Sequence, residues 1–231
     1  MNEDVFKLNP NVKFGILIGR NIKNSETKTE DEERLRSAEE DLRRTYQPDQ
    51  VRELANIASY RDLMRSSGIN PNKFPSSVEA MVKRILKGGQ LPTINALVDL
   101  CNAVSIENII SLGAHDLADI HEDLVVRYSR KGDQFLPFGA MEYEDVQEGE
   151  LVFTSGNKVQ TRKWIWRQSE LGKTTLDSRH IFFQLVGFED GKDSSLKKAM
   201  AALEQIIVER FGGDCEKNIV DPQNPMIEFS R

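Results

Sequence analysis

The chain has 231 residues, with 31 Lys and Arg against 37 Asp and Glu, a net charge of −6 and a pI of about 5.3. That balance disfavours binding to a phosphate backbone over the whole surface, so no DNA partner is expected and any RNA contact must be local. No run approaches the roughly 18 apolar residues of a bilayer span, the start MNEDVFKLNP lacks the basic and apolar regions of a signal peptide, and Cys101 and Cys215 have no metal-like spacing; a cytoplasmic protein with reduced thiols and no membrane partner is expected.

In chain order, VKFGILIGRNI (Val12 to Ile22) is apolar and rich in β-branched residues, which predicts a buried strand ended by Gly19, Arg20 and Asn21. SETKTEDEERLRSAEEDLRRTY has good helix formers and few apolar anchors, so residues 25–46 read as a mostly exposed helix with Arg43 and Arg44 at its negative end. A second helix spans about Asp49 to Ser66. The next start is sharply marked: Pro75 blocks extension, Ser76 caps and Glu79 completes a capping box, with Ala80, Met81, Ile85 and Leu86 as the inner face and Gly88 and Gly89 as the stop.

From Thr93 to about Val104, the spacing of Ile94, Leu97, Val98, Cys101 and Val104 predicts a helix with one buried face. Asp99 and Asn102, three apart, lie beside that face, either as part of a pocket wall or satisfying backbone groups at a helix end. The chain then runs through Gly113, His115 and Asp116. After Ile120 it turns strand-like, in DLVVRYSR, QFLPFG, ELVFT, KVQTRKWIWRQSE and HIFFQLVGF, with Trp164 and Trp166 on one face of the fourth of these. SSLKKAMAALEQIIVERF closes as an amphipathic helix capped by Asp193 or Ser194 and stopped by Gly212 and Gly213. Residues 214–231 form an arm. The order predicts an α+β fold with a mixed or largely antiparallel sheet flanked by helices, as one domain over residues 1–231 with its core at about 12–211.

Most site chemistries are absent. There is no glycine-rich phosphate loop, no HExxH or CxxC, and His115, His121 and His180 are too scattered to hold a metal, so neither metal nor cofactor is expected. No GxSxG elbow occurs, and a Cys101–His115 pair is disfavoured because a thiol on an apolar face is inert. WIWRQSE places two indoles beside Arg167, Gln168, Ser169 and Glu170, which suits stacking on a base or packing in a core. Basic side chains cluster in VKRILK, which includes Arg84, and in TRKWIWR, which includes Arg162 and Lys163.

Together, YRDLMRSSGINPNKFPSSVEAMVKRILKGGQLPTINALVDLCNAVS, LGAHDL, RKWIWRQSE and HIFFQLVGF resemble the tRNA-editing module of the phenylalanyl-tRNA synthetase beta subunit, its third and fourth domains, and more closely the free-standing relatives of that module. INALVDLCN is similar to that family's I-N-N-x-V-D-x-T-N helix. The resemblance puts Asn102 at the family asparagine, Cys101 at a pocket-lining threonine and Asp116 at the aspartate of an L-H-A-F-D-L loop. In that loop Gly113 replaces the histidine and His115 the phenylalanine. Trp166 and Arg167 replace a glycine pair, and Gln184 the glutamate that reads tyrosine.

The function so implied is tRNA binding with hydrolysis of a mischarged aminoacyl ester in trans, the partner being a tRNA or aminoacyl-tRNA 3′ end. His115 and Asn102 would position water, while Cys101, Asp116, Trp164, Trp166, Arg167, Gln168, Ser169, Glu170 and Gln184 would line the substrate site. Arg84, Arg162 and Lys163 would contact RNA. The alternative is a non-catalytic RNA-binding or amino-acid-sensing module. Aminoacylation motifs are absent, so the chain alone is not expected to charge tRNA.

Overall fold

Nine residues of alternating bulk, VKFGILIGR, form β1 (Val12–Arg20), and Phe14 through Gly19 are buried on both faces, as a central strand requires. The computed structural model describes residues 3–188 and 194–229. β1 lies inside a four-stranded antiparallel sheet of order β10-β1-β9-β2, with β2 at Ser111–Asp116, β9 at Ile181–Phe188 and β10 at Asp214–Val220. α1 (Glu3–Leu8) packs Phe6 edge-on against Phe14.

Strand alternation divides the interior. Leu17, Phe183 and Leu185 point to one face, where α5 (Ala96–Asn108) and α6 (Ser195–Gln205) cover them. Ile16, Phe182 and Val186 point to the other, toward α3 (Ala55–Ser66), α4 (Ser77–Leu86) and the second sheet. That second sheet has the order β3-β6-β7-β4-β5, with β8 on β7. Its strands are β3 (Leu124–Tyr128), β4 (Gln134–Phe135), β5 (Glu144–Asp145), β6 (Leu151–Ser155), β7 (Lys158–Arg162) and β8 (Arg167–Gln168). β4 runs parallel to β7 and the other pairs are antiparallel. The fold is α+β with one antiparallel and one mixed sheet, as the pattern of elements predicts.

Several local expectations need correction. α2 (Thr29–Thr45) is exposed along its outer side, as expected, and docked along the other: Leu35, Ala38 and Leu42 are buried, and the buried Glu39 accepts from the Leu91 backbone N–H at 2.7 Å. In α4 the Ser76 hydroxyl caps the Glu79 N–H, but the Glu79 side chain turns inward to Arg61 and Lys83 instead of closing a capping box. The buried apolar face of α4 is Val78, Val82 and Ile85. α5 starts at Ala96, capped by Asn95, and leaves Ile94 58% exposed.

Two features bear on the site. The stretch after α5 is a strand, β2, held by its pairing with β9. KVQTRKWIWRQSE is not one strand but the hairpin β7–β8, because Lys163 and Trp164 adopt positive φ of 47° and 67° and reverse the chain. α6 is capped by Ser194, Asp193 lying outside the described residues; a π-helical turn at Ile206–Arg210 follows. The arm forms β10 and then a segment, 225–229, that packs Ile227 and Phe229 onto the main core.

Candidate functional site

Gly113 and Gln184 face each other in register across β2 and β9. Beside them a hollow of about 70 Å³ is lined by Gly113, His115, Trp164, Trp166, Gln168 and Gln184, among others. Since a water takes about 30 Å³ of liquid, this volume corresponds to about two waters. The missing Cβ at Gly113 leaves room for the His115 ring, whose Nε2 lies 3.2 Å from where that atom would be.

His115 is 1% exposed and sits edge-on to Phe153 at 5.2 Å. Its Nδ1 is buried without a partner. Burial pushes its pKa down to about 4, because charging an enclosed imidazole forfeits hydration. The ring is therefore neutral near pH 7 and a weak base. The indoles close the hollow. Trp164 is buried edge-on to Tyr60 at 6.2 Å, with its indole N–H unpaired; half-buried Trp166 lies edge-on to Phe74 at 4.9 Å.

Gln168 is fixed, its Nε2 donating to the Ala114 carbonyl at 2.7 Å. Gln184 is 8% exposed and no side-chain hydrogen bond holds it. Other expected site residues hold the chain path. Asp116 accepts from the Ala118 N–H at 3.0 Å and from the Ser178 hydroxyl. The Ser169 hydroxyl donates to the Leu136 carbonyl at 3.0 Å, and Glu170 accepts from the Gly139 N–H at 3.2 Å while pairing with Lys173.

Cys101 and Asn102 do not reach the hollow. Cys101 is buried among Leu17, Phe183 and Leu185, on the opposite side of the four-stranded sheet, and burial pushes its thiol up to about 12. Half-buried Asn102 lies next to it on α5. Asp99, expected beside them, satisfies the helix start: it accepts from the Ile94 N–H at 2.9 Å and the Thr27 hydroxyl at 2.5 Å.

Arg167 is exposed rather than lining the hollow, and its guanidinium lies 4.8 Å from the Trp166 ring. Arg162 and Lys163 converge on Glu150, with N···O distances of 2.7 and 2.6 Å. Burial alone would raise the Glu150 carboxyl, but these two cations hold it below the usual range. Lys163 also sits 4.4 Å over the Phe74 ring, and Lys73 lies 5.2 Å from it. Arg84 is exposed near the far end of α4.

Phe74, Trp166, Lys73, Lys163 and Arg167 thus form an aromatic and cationic ledge at the mouth of the hollow. Lys73 and Phe74 belong to no periodic segment, so pattern reading passes over them; the only cue is a lone aromatic between Lys73 and the Pro75 breaker. Among the described residues no group of His, Cys, Asp and Glu is arranged to hold a metal, and no helix is long and apolar enough to cross a membrane.

A model of the B3/4 domain matches residues 59–211. A solved N-terminal fragment of the phenylalanyl-tRNA synthetase beta-subunit from Pyrococcus horikoshii is similar over 54% of this chain and 44% of that chain, at 12% identity and a TM-score of 0.42. Less than half of that fragment is therefore spanned. No curated protein matches.

Proposed function

The chain belongs to the B3/4 domain family, and from that premise we propose that it binds the 3′ end of a tRNA or aminoacyl-tRNA, stacking a terminal base on the ledge formed by Phe74 and Trp166. The supporting observation is the 4.9 Å contact between those rings, flanked by Lys73, Lys163 and Arg167. Base stacking on an aromatic side chain contributes about 1–3 kcal/mol and tolerates sequence. Lys163 is engaged with Glu150, which leaves Lys73 and Arg167 to meet phosphates and predicts a shallow dependence on salt.

Recognition is favoured over turnover because the hollow beside the ledge holds about 70 Å³, whereas pockets for small ligands run to about 300–1,000 Å³. Hydrolysis of a mischarged ester in trans is the second reading. It is favoured by the water-sized space that His115, Gln168 and Gln184 border. There a water would be the nucleophile and orientation the main source of rate, a neutral imidazole being a weak base.

Two measurements on the same samples separate these readings. Fluorescence anisotropy with a labelled acceptor-stem RNA, with and without its single-stranded 3′ end, should show binding that depends on that end. Indifference to the 3′ end overturns the proposal. Deacylation followed across a panel of mischarged tRNAs should stay at the buffer rate; turnover above it selects the hydrolase.

A further inference from the structure

Between the two sheets lies a second and larger hollow, of about 490 Å³, which shares only Gln184 with the first. Ile16 and Phe182 form one wall, Val126 and Phe153 the other, and Ile227 and Phe229 of the C-terminal segment close one side. Phe153 stacks on Phe182 at 5.9 Å, and Phe229 lies 5.8 Å from Phe182. The volume falls within the range of small-molecule sites.

Two independent features say what this hollow lacks. Gln184 is 8% exposed and no hydrogen bond within the protein holds its side-chain amide, which leaves the amide oxygen available to a donor. At the rim stand the carboxylates of Glu122, Asp123 and Glu228, and among the described residues they make no ion pair and no Lys or Arg lines the hollow. The Gln184 amide offers an acceptor oxygen, the three rings offer negative π faces, and the rim offers negative charge. All three complement a cation that carries donor hydrogens.

We propose that the inter-sheet hollow is a binding site for a small organic amine with an aromatic-sized apolar body. The apolar part would lie against Phe153, Phe182 and Phe229 while its ammonium meets the Gln184 oxygen and the carboxylate rim. The same rim repels a polyanion, so this site is separate from the ledge, and the proposal stands whether or not the chain binds RNA.

Calorimetry on the full chain tests it, with phenethylamine as the probe and 3-phenylpropanoate as a near-isosteric anion. Phenethylamine should bind one to one and the anion should not. Neutralising two exposed rim groups together, Asp123→Asn with Glu228→Gln, should weaken the amine on the order of fivefold, as expected for exposed charge pairs. Gln184→Leu, which keeps the volume and the fold, should weaken it by about tenfold, the worth of one hydrogen bond to a charged donor. Equal binding of amine and anion, no binding of the amine, or indifference to all three substitutions overturns the proposal.

Discussion

The Tyr60 hydroxyl is inserted into the end of the β2–β9 ladder, accepting from the Ser111 N–H at 3.0 Å and donating to the carbonyl of Val186, the residue paired with Ser111. It ties α3 to both strands that carry the site. Tyr60→Phe keeps the packing against Trp164 but strands a buried N–H and weakens the carbonyl's pairing. A loss of about 1–3 kcal/mol is expected in urea unfolding, with an unchanged m-value.

Arg61 and Glu79 form a buried ion pair at 2.8 Å, their side chains 4% and 0% exposed. Arg61 also donates to the Asn72 side chain at 2.5 Å, joining α3, α4 and the loop between them. Glu79→Ala leaves a guanidinium buried without its counterion and should cost about 3–5 kcal/mol. Arg61→Met with Glu79→Leu should recover most of that, which thermal unfolding of the two variants beside the unsubstituted protein would reveal.

His115 predicts a pH dependence. Its pKa is about 4 when folded against an ordinary value of 6.5, because of burial. Between those values the unfolded chain binds more protons, so stability is full above about pH 6.5 and falls as pH drops toward 4, by roughly 3 kcal/mol. Asp31, Asp133 and Glu150, held low by their cations, add losses as acidification continues. His115→Phe retains an aromatic ring against Phe153 and should flatten the curve between pH 6.5 and 4 while leaving the more acidic limb. The difference between the two unfolding curves isolates the imidazole.

The ledge separates stacking from charge. Trp166→Ala should weaken binding of a single-stranded 3′ end by about 1–3 kcal/mol at every salt concentration. Arg167→Ala should lower the slope of log affinity against log salt by about one, because one phosphate contact is lost. Anisotropy titrations at several salt concentrations distinguish the two effects.

Much of the fold was legible in the order of residues. β1 and β9 announce themselves as unbroken apolar runs, and Ser76, Ser194 and Gly212 mark real helix ends, since caps and breakers act over a few residues. β2 was not legible. SLGAHD has little apolar alternation, and it is a strand because β9 pairs with it. The reversal at Lys163 and Trp164 was hidden for a similar reason: positive φ at a bulky residue is disfavoured locally and persists where tertiary packing, here Trp164 against Tyr60, holds it.

The sequence by itself determined the α+β class and the family to which residues 59–211 belong, because those follow from the order and local patterning of the elements. Only the tertiary structure decided that Cys101 and Asn102 lie behind the sheet while Gly113, His115 and Gln184 lie before it, and that two indoles reduce the first hollow to about 70 Å³. Periodicity names the residues that share a face; which side of a sheet that face is pressed against depends on the whole chain's burial of apolar surface.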